Sequence, residues 1–371
     1  DSLVLATGLE SGVSYSDKVA EALGLSNYAV LGLPGFRTND LHYFLNPEVG
    51  TDEYYEEVLL PEMEGVEEEL NAIMLEAVET SDIITLQVGA NNFGAYAFSQ
   101  LVAYMTGEEM YEMDWDKYTG YELSEVAAEI KAEYTDDLFA YVYEQTGFAI
   151  PEEMLPMATT LLDIVLFTSL EYAANLEAIV DIIHERNEEA YLVLVGTYNP
   201  LRGVYYDDGE TAFEVGALVE AVTSVIDAYI AQLAAEEENC VYVAIEETEM
   251  ILDTLPAGYV SKNLADTVEI PFVGVSVPEF LFEVLGNNFE SLHPSEAGHE
   301  YIKDQIIATI SHEVSEEWTS DETGHWHACA GCEEQFDFAE HTFEWVIDEE
   351  AKPGVAGSKH EECTECGYKQ N

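Results

Sequence analysis

Strand-length apolar runs, separated by stretches with apolar residues at helical spacing, decide what most of this chain can fold into. The runs are Tyr28–Leu33, Ile83–Val88, Tyr191–Val195 and Val241–Ile245. Ser16–Leu23, Tyr55–Val78, Leu161–Arg186, Ala217–Ala235 and Ala297–Ile310 carry apolar residues on one helical face and charge on the other. Apolar strands alternating with helices predict an α/β fold, with a parallel sheet covered on both faces in three layers. A ligand then belongs in the crevice at the carboxyl ends of the strands.

Two regions depart from that plan. Residues 95 to about 160 are rich in Tyr, Met and Glu, with helical stretches at Glu122–Ala132 and Asp136–Glu144. They predict a helical insertion over one sheet edge, serving as a lid or as extra packing. Near Ser311 the character changes again. From Glu317 to Asn371 apolar runs stop, and Trp, His and Cys concentrate. The expected organisation is a large domain over 1–311 and a small Cys-rich module over 317–371.

Charge excludes several partners. Lys and Arg total 11 against 76 Asp and Glu, a net charge of −65. Phosphate-driven nucleic-acid binding is excluded, because there are too few cations to replace counterions. An anionic membrane surface repels the chain for the same reason. With 48% hydrophobic residues the chain still has material for a full core. The charge suits a high-salt setting or a soluble secreted protein. Glu67-Glu68-Glu69 and Glu236-Glu237-Glu238 read as solvated helix faces, and no calcium-loop spacing is present. No run of about 18 uninterrupted apolar residues occurs, so no membrane insertion is expected. The chain starts at Asp1 rather than Met and shows no signal peptide, so it is expected to be processed or cut from something longer.

Three segments supply groups for acyl transfer. Asp1-Ser2-Leu3 is followed by Gly8 and by Ser14-Tyr15-Ser16-Asp17 at a helix start. Gly89-Ala90-Asn91-Asn92 follows an apolar strand. Glu290-Ser291-Leu292-His293-Pro294 opens the last helix of the large domain. A serine hydroxyl needs a base to take its proton, and a His serves best when a carboxylate fixes its tautomer. An Asn amide beside backbone N–H groups can hold the developing oxyanion.

Together these segments resemble the SGNH, or GDSL, hydrolase superfamily over about 1–45, 81–94, 189–202 and 287–310. The resemblance implies a flavodoxin-like three-layer α/β/α fold and a secreted serine esterase or lipase. Ser2 would be the nucleophile, His293 the base and Glu290 its carboxylate. Ser2 N–H, Gly35 N–H and Asn91 would form the oxyanion hole, with Gly35 in the second block, Leu33-Pro34-Gly35-Phe36-Arg37. Tyr198-Asn199-Pro200 also looks like the family. Asn92 and Glu290 stand where the family usually has Asp. On this placement the strand before the nucleophile precedes Asp1. A competing placement makes Ser11 the nucleophile, with Leu3–Ala6 as the strand. No cofactor is needed, and the expected substrate is a small-molecule or glycan ester. The alternative is a catalytically inactive surface protein on the same fold, serving binding or adhesion. Arg37 is expected in a structural ion pair, His299 as a packed helix residue and Cys240 as a buried thiol.

The small module carries two CxxC pairs, Cys329/Cys332 and Cys363/Cys366. Four thiolates at this spacing fit a structural zinc, and His325, His327, His341 and His360 could substitute or share. In a secreted protein disulfides compete with zinc. His325-Trp326-His327-Ala328-Cys329, then His341-Thr342-Phe343 and Trp345, resemble short repeats of Gram-positive surface proteins. That resemblance implies an extracellular location and cell-wall association.

Overall fold

The computed structural model describes residues 2–5, 11–63, 65–138, 140, 155–199, 205–207, 212–245, 260–261, 267–270, 275–278, 293–310, 314–329 and 335–370. The chain divides into two compact units, Asp1–Ile306 and Ile307–Asn371.

The large unit is mixed helix and strand. Its helices are α1 Tyr15–Ala22, α2 Thr38–Leu45, α3 Glu67–Thr80, α4 Ala97–Thr106, α5 Glu122–Asp136, α6 Leu155–Arg186, α7 Val215–Glu236 and α8 Glu296–Ile310, whose last turn enters the second unit. Its strands are β1 Ile83–Leu86, β2 Tyr191–Val195, β3 Tyr205–Asp207, β4 Ala212–Glu214, β5 Cys240–Val243, β6 Val260–Ser261, β7 Thr267–Ile270 and β8 Val275–Pro278. β1, β2 and β5 form a parallel sheet with β2 in the middle. In register, Ile83 faces Tyr191 and Leu192 faces Cys240. Leu192 to Val195 are all buried, although successive side chains point to opposite faces. Both faces of β2 are therefore covered, which is why its sequence is apolar without alternation.

One core packs Leu192 and Leu194 of β2 against Tyr172, Ile179 and Ile183 of α6 and Ile226, Ile230 and Leu233 of α7. Each fully buried aliphatic side chain contributes roughly 1.5–3 kcal/mol. A second core joins Phe36, Phe44, Tyr54 and Tyr55 to Tyr96, Tyr118, Ala127 and Phe167. The described part of the 95–160 region thus packs into the body of the unit. Its expected helix at Asp136–Glu144 falls largely outside the described residues.

α6 is long and apolar enough to cross a bilayer. It nevertheless buries Thr168, Glu171 and Asn175 together with residues of both cores. Asn175 Nδ2 donates to the Tyr118 hydroxyl (3.3 Å), which donates to Glu171 Oε1 (3.1 Å). Burial pushes the Glu171 carboxyl up to about 7.

Two expectations need correction. Tyr28–Leu33 forms no strand. Among the described residues no strand pairs with it, Tyr28 and Leu31 are exposed, and Gly32 and Pro34 break its end. An apolar run without a hydrogen-bonded neighbour has no ladder to join. The expected helix Tyr55–Val78 is also interrupted: Tyr55–Leu59 and Leu60–Met63 are separate turns ahead of α3. Pro61 and Gly65, the latter at φ +85°, account for the break.

Among the described residues of the second unit after α8, the regular elements are strands. β9 Val314–Ser320, β10 His325–Cys329 and β11 Gln335–Ala339 make one antiparallel sheet. β12 Phe343–Glu349, β13 Ser358–Cys363 and β14 Lys369–Gln370 make another.

Candidate active site

Ser2 lies in a single 3-10 turn, Ser2–Val4, in the segment of chain that precedes α1 at Tyr15. This turn takes the place of the strand that the Ser11 placement expected at Leu3–Ala6, of which Ala6 lies outside the described residues. Ser11 is exposed, and its Oγ accepts from Val13 N–H within its own turn (3.2 Å).

His293 is buried just before α8. Its Nε2 stands 2.8 Å from Ser2 Oγ, across 291 residues of sequence. Nε2 can accept the hydroxyl proton only in the tautomer that carries its ring proton on Nδ1. Nδ1 is itself buried. Glu290, the expected carboxylate, lies outside the described residues.

Two helices hold this pair. α1 starts with a reciprocal cap: Asp17 N–H donates to Ser14 Oγ (3.2 Å), and Ser14 N–H donates to Asp17 Oδ2 (2.8 Å). The next free donor of that first turn, Tyr15 N–H, goes to His299 Nδ1 of α8 at 2.9 Å. Tyr15 and His299 also stack, with centroids 5.9 Å apart. Lys18 bridges to Glu300 at 3.1 Å. The helix that follows the serine is thereby tied to the helix that follows the histidine. Burial drives the His299 imidazole down to about 4, so it stays neutral and keeps the lone pair that Tyr15 N–H needs.

Two of the expected oxyanion residues, Gly35 and Asn91, meet at a second junction. Gly35 sits at φ +82°, and a Cβ there would stand 2.9 Å from Leu59 Cδ2. Only glycine takes that turn without strain. Gly89 is more constrained still: at φ +118°, its Cβ would lie 2.1 Å from the Tyr172 ring. Asn91 Nδ2 donates to Phe36 O (3.0 Å), fixing the amide against the loop of Gly35. Asn92, fully buried, accepts from Thr38 N–H (2.9 Å) and donates to Thr38 Oγ1 and Asn39 Oδ1 (both 3.2 Å). That pattern needs one acceptor and a donating amide, which a carboxylate cannot supply. Asn at this position, where the resembled family usually has Asp, is thus locally satisfied.

Arg37 forms the structural ion pair expected of it. Fully buried, it meets Asp40 through Nε (3.0 Å) and Nη2 (2.7 Å), and Asp52 through Nη2 (2.8 Å). Its guanidinium lies over the Tyr54 and Tyr96 rings at 4.5 and 5.0 Å. Cys240, expected to be buried, is only half-buried at the start of β5, yet desolvation still pushes its thiol up to about 11, so it is a poor nucleophile.

A cavity of about 480 Å3 opens beyond the ends of β2 and β5, lined by Thr197, Tyr198, Asn199, Asp227, Tyr242 and Ile245 among others. Asp227 Oδ1 accepts from Thr197 N–H (2.8 Å) and Asn199 Nδ2 donates to Glu220 (2.9 Å). None of Ser2, His293, Gly35 or Asn91 lines this cavity among the described residues.

In the small unit, His325, His341, Cys363 and Cys366 bring one ligand atom each within 4.8 Å of one another, a cluster able to hold a metal ion. Two of the four expected cysteines are in it. Cys332 and the side chain of Cys329 lie outside the described residues. The histidines were legible as possible substitutes, but chain spacing carried no signal for which two. No protein-family model matches the chain and no curated protein matches it, so the family resemblance rests on the motifs alone.

Proposed function

We propose that the large unit is a secreted serine ester hydrolase of the SGNH type, with the three-layer fold that family has. The observation that carries this reading is the 2.8 Å approach of His293 Nε2 to Ser2 Oγ. His293 takes the Ser2 proton as Oγ attacks the ester carbonyl. Ser2 N–H, Gly35 N–H and the Asn91 amide receive the oxyanion. The C–O bond to the alcohol breaks, and the alkoxide takes the proton back from His293. Water, deprotonated by His293, then frees the acid and restores Ser2. Preorganised donors of this kind are worth about 10²–10³ in rate each, and a positioned general base about 10²–10⁴. Substrates are small-molecule or glycan esters, with cell-wall glycans consistent with the repeat-like small unit. The net charge of −65 disfavours polyanionic substrates. The fit of the small unit to a structural zinc, closed by four protein ligands, adds no step to this reaction.

Labelling with a fluorophosphonate probe, followed by peptide mass spectrometry, tests the reading. Modification of Ser2, abolished in His293→Ala and slowed about 10²-fold or more in Asn91→Ala, is the expected result. Labelling at Ser11 would move the nucleophile. No labelling, together with no turnover of short acyl esters, would leave an inactive binding protein on this fold.

A further inference from the structure

We propose that the small unit binds a zinc ion through His325 Nδ1, His341 Nδ1, Cys363 Sγ and Cys366 Sγ, and that this ion stands in for its hydrophobic core. The inference is independent of the hydrolase reading.

The four ligand atoms lie within 4.8 Å of one another, slightly wider than a closed zinc tetrahedron. His341 Nδ1 lies 3.5 Å from Cys366 Sγ, and His325 Nδ1 lies 4.0 Å from Cys363 Sγ. Zinc bonds of about 2.3 Å to sulfur and 2.0 Å to nitrogen, at tetrahedral angles, put the two ligand atoms about 3.5 Å apart. His341 is already oriented. Its Nε2 is 2.7 Å from the Asp321 carbonyl, which can only accept, so Nε2 carries the ring proton and Nδ1 offers its lone pair. Its ring stacks on Tyr368 with centroids 4.5 Å apart and planes 7° apart. His325 is held edge-on against Trp318, at 4.6 Å. Soft thiolates with imidazoles in this arrangement select zinc over calcium or magnesium.

The other described histidines of this unit have other neighbours. His360 sits between Asp348 (2.7 Å) and Glu362 (2.9 Å), and His327 stacks on Trp318. β10 is extended, so the backbone of Cys329 is about 13 Å along the strand from that of His325.

Burial gives the ion its role. Among the described residues of this unit, the fully buried side chains are His325 and Cys363, both about 3% exposed, and His360. Trp345, Ile347 and Val355 are all more than half exposed. Among its described residues the unit has almost no apolar interior, and a unit this small needs a metal or cross-links to fold. His325 comes from the first sheet, Cys363 from the second, His341 from the link between β11 and β12, and Cys366 from the turn after β13. The ion therefore clamps the two sheets together.

The test uses the full chain, purified under reducing conditions without chelator. Metal analysis should find stoichiometric zinc. X-ray absorption should show two sulfurs at about 2.3 Å and two nitrogens at about 2.0 Å. Cys363→Ser and His341→Asn should lower zinc retention more than about tenfold, while Cys329→Ser and Cys332→Ser should retain it. A four-sulfur shell in the unaltered protein would overturn the proposal in favour of paired CxxC knuckles, and needs no variant to fold. Loss of zinc in Cys332→Ser but not in His341→Asn would do the same. A Cys363–Cys366 disulfide with no bound zinc would also overturn it.

Discussion

Asn92 shows at the scale of one residue how a buried junction can demand an amide and not a carboxylate. Its amide NH2 gives two hydrogen bonds and its oxygen takes the Thr38 N–H, with the Thr38 hydroxyl 3.5 Å away, all within the buried junction between residues 38–39 and 91–92. Asn39 cannot easily turn over to donate, because its own Nδ2 is spent on Asp52 at 3.1 Å. Asn92→Asp therefore sets a carboxylate against the Asn39 oxygen, with Asp40 and Asp52 close to the same loop. Burying an unmatched acceptor or charge costs about 1–3 kcal/mol or more. The expected outcome is a loss of about 2–3 kcal/mol at neutral pH, smaller in acid where the new carboxyl protonates and can donate again. Urea unfolding of both proteins at two pH values checks this. An unchanged midpoint at neutral pH would mean the junction accommodates the family's usual residue, and that Asn92 is not selected by these bonds.

The link between α1 and α8 makes a prediction at the scale of elements. His299 titrates from 6.5 in the unfolded chain to about 4 in the fold. Between those values the unfolded state holds a proton that the native state lacks. Stability therefore rises with pH across the window: the contribution is complete above about 6.5 and lost as pH falls toward about 4, up to about 3 kcal/mol. Glu171, pushed up to about 7, titrates with the opposite sign over the same window, so the reading is a comparison rather than a single curve. His299→Gln can still accept from Tyr15 N–H but cannot protonate. Its stability relative to the unaltered protein should improve steadily as the medium is taken from about pH 7 to about pH 4.5. A constant difference would show that His299 does not carry the acid sensitivity. The elements themselves were unequally legible. β2 could be read because a strand buried on both faces needs an unbroken apolar run, as Leu192–Val195 has, and the half-buried β1 and β5 carry apolar runs beside it. Tyr28–Leu33 has the same look, but whether a run becomes a strand depends on a neighbour that local sequence does not name. The interruption of Tyr55–Val78 was written in Pro61 and Gly65. Ser2 and His293 stand 291 residues apart, so family motifs, not periodicity, joined them. The pairing of His325 and His341 with the second CxxC depends on how one sheet folds onto the other, which spacing along the chain does not encode.

The charge of the whole molecule outweighs its ion pairs. Only 11 cationic side chains face 76 carboxylates, and several of the cations are already committed in pairs such as Lys18–Glu300, Lys131–Asp163 and Arg186–Glu79. The excess lies mostly on exposed faces, where its repulsion acts through solvent and is open to screening. The buried Arg37–Asp40 pair is shielded from salt and should not weaken with it. Added salt should therefore stabilise this protein, although it commonly weakens surface ion pairs. The Debye length shrinks from about 30 Å at 0.01 M to about 10 Å at 0.1 M and 3 Å at 1 M. Urea midpoints measured along a NaCl series should rise, most steeply over the first tenfold in salt, because that step removes the longest-range repulsion. KCl should give the same curve, since screening depends on ionic strength and not on the ion. A gain confined to the highest concentrations would instead point to salt exclusion from the protein surface. A midpoint that falls with salt would mean that the few ion pairs, and not the uncompensated carboxylates, set the electrostatic balance of the fold.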